Sequence, residues 1–216
     1  MTPVSLPQPA RFYPLVPDAE WLKRIVPLGV ETVQLRLKAG SAAEVRRQIG
    51  ASLEACRENG VQLIVNDYWR EAIEAGCDYI HLGQEDLAAA DVIAIKKAGV
   101  KFGVSTHNEA ELEIALAAGP DYIALGPIYE TKLKAMTWAP QGLERIGVWR
   151  RRIDAACAER GVPALPLVAI GGLTPERAPG GLAAGAQSLA VITDIVTHPK
   201  PEQRIATWLN WAKNAG

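Results

Sequence analysis

Long hydrophobic runs, paired cysteines and an excess of charge of either sign are all missing from this 216-residue chain. No apolar stretch approaches the roughly 20 residues that span a bilayer, and residues 1–10 carry no basic segment followed by an apolar core. Neither a membrane partner nor a secretory leader is therefore expected. The 3 cysteines, Cys56, Cys77 and Cys157, stand far apart with no CxxC spacing, which argues against a disulfide framework or a zinc cluster and suits a reducing, cytoplasmic setting. With 23 basic and 24 acidic residues the formal charge is −1, so no cationic field exists to hold a nucleic acid, and any phosphate must be bound locally.

What is present reads as an ordinary folded domain, with 49% hydrophobic and 22% charged residues. Short apolar runs alternate with amphipathic stretches. Strands are predicted over Arg11 to Leu15, Thr32 to Leu37, Gln62 to Val65, Tyr79 to Leu82, Lys101 to Val104, Tyr122 to Leu125, Leu167 to Ile170 and Ser188 to Ile192. Helices are predicted over Ala42 to Asn59, Trp69 to Ala75, Leu87 to Ala98, Glu109 to Ala118, Leu143 to Arg160 and Pro175 to Ala184, with a last one near Glu202 to Lys213. Eight β-then-α units favour a closed (β/α)₈ TIM barrel, an α/β fold, over an open sheet. We read residues 1–216 as one barrel domain, its core over about 11–195 and a C-terminal helix in 196–216. The glycines in Glu74-Ala75-Gly76, Ala117-Ala118-Gly119 and Ala183-Ala184-Gly185 are expected to end helices on the face away from the chemistry.

Barrel enzymes work at the carboxyl ends of their strands, so the polar residues just past each strand are the candidates. Gln34, Arg36 and Lys38 alternate with leucines and share one face of an extended segment, where two cations and an amide suit a diphosphate; a solvated edge with a snorkelling lysine is the alternative. Asn66-Asp67 follows the third strand, and His81-Leu82-Gly83-Gln84-Glu85-Asp86 completes and follows the fourth. Two carboxylates at neighbouring strand ends can chelate Mg²⁺. Asp86 reads equally as a helix N-cap, and His81 as a structural histidine. Ser105, past the fifth strand, offers a hydroxyl, while Thr106 or His107 begins the next helix. A long loop opened by Gly126-Pro127 carries Thr131, Lys132 and Lys134. Gly171-Gly172 and Ile192-Thr193 follow the seventh and eighth strands, the usual phosphate pocket of this architecture. Two anion sites emerge, one cationic and metal-assisted, the other built from backbone.

Individually modest, jointly specific, these motifs resemble the thiamine phosphate synthase family in order and spacing from about Phe12 to Ile195. The resemblance implies that a hydroxymethylpyrimidine diphosphate is joined to a thiazole phosphate with release of pyrophosphate. It implies that Gln34, Arg36, Lys38, Asn66, Ser105 and Lys134 hold the diphosphate substrate, with Arg36, Lys38, Ser105 and Lys134 counted as catalytic. Asp67 and Asp86 would bind Mg²⁺, and Thr131, Gly171, Gly172, Ile192 and Thr193 would hold the thiazole phosphate. Leu133 stands where the family loop has a second threonine, Thr193 where serine is usual, and Asp194 adds a negative charge beside an expected anion. A thiazole tautomerase-like enzyme shares the barrel but needs no diphosphate site, and a noncatalytic sensor of thiamine precursors is the reading from another class. Small phosphorylated molecules are the expected partners, and the quaternary state, a homo-oligomer included, stays open.

Overall fold

The computed structural model describes residues 6–130 and 138–215. Eight parallel strands close into a barrel in chain order: β1 (Phe12–Val16), β2 (Thr32–Leu35), β3 (Gln62–Asn66), β4 (Tyr79–Leu82), β5 (Lys101–Thr106), β6 (Tyr122–Leu125), β7 (Leu167–Ile170) and β8 (Ser188–Val191), with β8 pairing back onto β1. Around them lie α1 (Ala19–Ile25), α2 (Ala42–Asn59), α3 (Trp69–Ala75), α4 (Gln84–Ala89), α5 (Val92–Lys97), α6 (Glu109–Ala118), α7 (Gly142–Glu159), α8 (Ala178–Ala183), α9 (Thr193–Val196) and α10 (Pro201–Asn214). Among the described residues no helix is long and apolar enough to cross a membrane.

Local chemistry sets these boundaries. Ser41 and Asn108 accept the backbone N–H of Glu44 and Glu111, starting α2 and α6 with side-chain caps. Gly76 and Gly119 close α3 and α6 in the left-handed conformation, as the repeated glycine phrases predict. The segment Leu87 to Ala98, expected as one helix, is two: Ala90 turns extended and Asp91 caps α5 by accepting from Ala94 N–H. Thr106 ends β5 instead of opening a helix, its Oγ1 donating to the Ala124 carbonyl and accepting from Trp149 Nε1 on α7, each at 2.8 Å. His107 is held by Glu111 at 2.7 Å, so the cap of α6 falls to Asn108.

Strand residues facing outward pack under the helices in one large apolar layer, and those facing inward form a second, small cluster. Tyr13, Tyr79 and Tyr122 dominate that interior, all buried, so the barrel is plugged and its centre is solid. Register then decides what sits above the plug: Leu15 lies opposite Gln34, Asn66 opposite His81, His81 opposite Gly103, and Ser105 opposite Ala124.

Candidate active site

Because side chains alternate along a strand, the same parity that sends the tyrosines inward sends the last polar residues of the strands to the carboxyl-end mouth. Gln34, Arg36, Asn66, His81 and Ser105 line a cavity of about 70 Å³ there, floored by Tyr13. Gln34 and Asn66 are buried and Arg36 stands exposed at the opening, its backbone N–H donating to Val16 O at 2.9 Å. β2 stops at Leu35, two residues short of the predicted end, so Lys38 lies past the strand, exposed and lining neither cavity of the mouth.

Asp67 and Asp86 meet beside this cavity. Asp67 takes a left-handed φ of 67°, which turns its carboxyl toward α4, where it accepts the Gly83 N–H and hydrogen bonds to Asp86. Burial, and next the charge of Asp86, push the Asp67 carboxyl up to about 6 despite Arg36 nearby. Asp86 is not the N-cap of α4; Gly83 holds that position and Asp86 sits in the first turn. Among the described residues no three His, Cys, Asp or Glu side chains cluster, so a metal here would be held by two carboxylates.

His81 is a structural hub. Its Nδ1 is 2.7 Å from the Tyr122 hydroxyl and its Nε2 is 2.8 Å from Ser105 Oγ. Tyr122 also hydrogen bonds to Tyr13, and burial, followed by the Arg36 charge, lowers His81 to about 4, so the ring is neutral.

A second cavity, about 380 Å³, opens between the β7 and β8 ends and shares Ala190 with the first. Gly171, Gly172, Ile192 and Thr193 all line it. A Cβ on Gly172 would lie 2.5 Å from the Glu130 carbonyl, and φ there is +63°, so only glycine lets the loop after β6 close against the loop after β7. Arg177, which the sequence reading passed over, also lines this cavity; it donates to the Gly172 carbonyl at 2.6 Å and lies 4.4 Å over the Tyr129 ring. The charge of Asp194 is compensated from α10: Arg204 donates to its carboxylate at 2.7 and 2.9 Å and Trp208 Nε1 at 2.8 Å. Thr131, Lys132, Leu133 and Lys134 lie outside the described residues.

Arg36, Asp67, Asp86 and Gly172 thus follow the carboxyl ends of β2, β3, β4 and β7, at one rim. Residues 13–195 match the family model described as thiamine monophosphate synthase. Thiamine-phosphate synthase of Rhizobium etli is 55% identical over 198 residues, which cover 92% of this chain and 93% of the relative. That of Neisseria meningitidis serogroup A is 43% identical over 202 residues, 94% of each. A solved structure of thiamine phosphate pyrophosphorylase from Pyrococcus furiosus superposes with a TM-score of 0.81 at 21% identity, covering 98% of this chain and 99% of the other, which shows the shared fold. The chain belongs to the thiamine monophosphate synthase family.

Proposed function

We propose that this chain, a transferase, joins a hydroxymethylpyrimidine diphosphate to a thiazole phosphate, giving thiamine phosphate and pyrophosphate. The observation that carries the reading is the contact between Asp67 and Asp86 at the edge of the cavity lined by Arg36, Asn66 and Ser105. Burial first, and then the neighbouring Asp86 charge, push the Asp67 carboxyl up, and a divalent cation held by both carboxylates would offset both costs. Hard oxygen donors, too few for a full cage, fit Mg²⁺, which keeps positions for phosphate oxygens and water. When bound, Mg²⁺ supplies positive charge where the departing pyrophosphate becomes more negative.

The chain's own residues do the rest. Arg36 offers a forked guanidinium to the diphosphate, with the Gln34 and Asn66 amides and the Ser105 hydroxyl below it. Lys38 and Lys134 add cations that stabilise the same leaving oxygens. The bond between the pyrimidine methylene carbon and the diphosphate oxygen breaks, its electron pair leaving with pyrophosphate, and the thiazole nitrogen captures the pyrimidine cation. Gly171, Gly172 and Thr193 hold the thiazole phosphate through backbone N–H groups, with Ile192 beside them and Thr131 adding a hydroxyl. No protein nucleophile takes part. The shared Ala190 wall supports the reading, since the two anion sites open side by side. Nucleic acid and membrane have no place in this reaction, which belongs in the cytoplasm.

The purified chain given both substrates and Mg²⁺ should form thiamine phosphate and pyrophosphate in equal amounts, and a chelator should stop both. Metal-independent turnover of the thiazole compound alone would mark a tautomerase-like enzyme. Binding without coupling would mark a sensor, and either result overturns the proposal.

A further inference from the structure

The buried chain Tyr13–Tyr122–His81–Ser105 links the interior of the barrel to the cavity at its mouth. Each member comes from a different strand, β1, β6, β4 and β5, so no local segment specifies it. The Tyr122 ring reaches His81 only because Gly103 stands opposite on β5: a Cβ there would lie 2.0 Å from Tyr122 Cζ. The His81 and Tyr122 rings stack at 5.5 Å and 21°, which fixes the imidazole plane.

Neutral imidazole is a donor at one nitrogen and an acceptor at the other, so the chain has two self-consistent proton orders. In one, Tyr13 donates to Tyr122, Tyr122 donates to Nδ1, and Nε2–H donates to Ser105 Oγ, leaving the serine proton free to point into the cavity. In the reverse order Ser105 donates to Nε2, Nδ1–H donates to Tyr122, and Tyr122 donates to Tyr13. The Tyr13 proton, on a side chain only 1% exposed, must then turn toward the cavity whose floor it forms. An anion in the cavity selects between the two orders, because it accepts the serine proton of the first order and meets only the serine lone pairs in the second.

We propose that Tyr122 and His81 are positioning residues that orient the Ser105 hydroxyl as a hydrogen-bond donor to the anionic oxygen of the diphosphate substrate. The proposal rests on the reading of this cavity as the diphosphate site. With His81 lowered to about 4 by burial, the ring does not take up a proton at neutral pH, so the relay orders protons without transferring one to the substrate. Its effect is on the alignment of one donor that tightens as charge builds on the leaving group, and so on kcat more than on KM.

Two measurements test it. The full chain carries 3 histidines, so ¹⁵N-histidine labelling with His81→Gln as assignment control isolates the His81 signals. With inorganic pyrophosphate and Mg²⁺ bound, His81 should show a protonated Nε2 and a bare Nδ1; the opposite tautomer overturns the relay. Kinetically, Tyr122→Phe should lose kcat on the order of 10- to 100-fold, as Ser105→Ala does, and the double variant should lose no more than either alone. Tyr122→Phe at wild-type kcat, or losses that multiply, overturns the proposal. His81→Gln, which keeps an N–H donor, should recover part of what His81→Leu loses. If the wild type binds pyrophosphate but makes no thiamine phosphate, the proposed reaction falls while the tautomer still decides the relay. If pyrophosphate does not bind, the diphosphate reading falls and the relay's role with it.

Discussion

Replacing Asp67 by asparagine should make the metal-free protein more stable while removing its response to Mg²⁺. Asp67 is pushed from the ordinary 3.8 to about 6, first by burial and then by Asp86. The folded state therefore holds this proton more tightly than the unfolded chain, and stability falls as pH rises from 3.8 through about 6, above which the penalty is complete. Taken whole, a displacement of about 2 units corresponds to roughly 3 kcal/mol. Because the carboxylate is only partly buried, screening leaves about 1–2 kcal/mol, or a Tm rise of about 2–8 °C for a chain of this size. Asparagine suits the position, since it accepts the left-handed φ of 67°. It can still accept from Gly83 N–H and donate to Asp86. Asp67→Ala is the poorer probe, because alanine at that φ adds strain of its own. Scanning calorimetry between pH 4 and 8, with chelator and with Mg²⁺, is the assay. The expected gain in chelator is full above about pH 6 and gone near pH 4, whereas Mg²⁺ raises only the wild type. A variant that melts at or below the wild type at pH 7.5 in chelator, or a gain unchanged down to pH 4, refutes the reasoning.

Gly103→Ala should drive a methyl group into the Tyr122 ring, costing about 1–3 kcal/mol of stability and lowering kcat with it; thermal melts and turnover measured on one preparation check both. Arg204→Leu should expose the Asp194 charge to the second cavity, raising KM for the thiazole phosphate by roughly tenfold and lowering stability by about 2 kcal/mol. Arg204→Leu combined with Asp194→Asn should restore KM, and steady-state kinetics with the thiazole phosphate varied show whether it does.

The strands and the polar residues near their carboxyl ends were legible because each is a local matter of period and composition. The barrel followed from eight repeats of one unit, and Asp67, Asp86, Gly171 and Gly172 fell beside strands that the pattern already defined. The division between α4 and α5 was hidden by alanines whose helical preference runs up to Ala90, although Asp91 carried the cap signal. Gln34, Arg36 and Lys38 share a face only while the backbone stays extended, and β2 ends at Leu35, before the predicted Leu37. The structural role of His81 was legible but its partners were not, since they come from β5 and β6, 24 and 41 positions away. Asp194 read as a repulsive neighbour for an anion because Arg204 lies ten residues on, in another helix.

The tyrosine plug makes the barrel a blind alley. No traffic runs through its middle, so whatever the two cavities bind must enter and leave by the carboxyl-end rim on which both open.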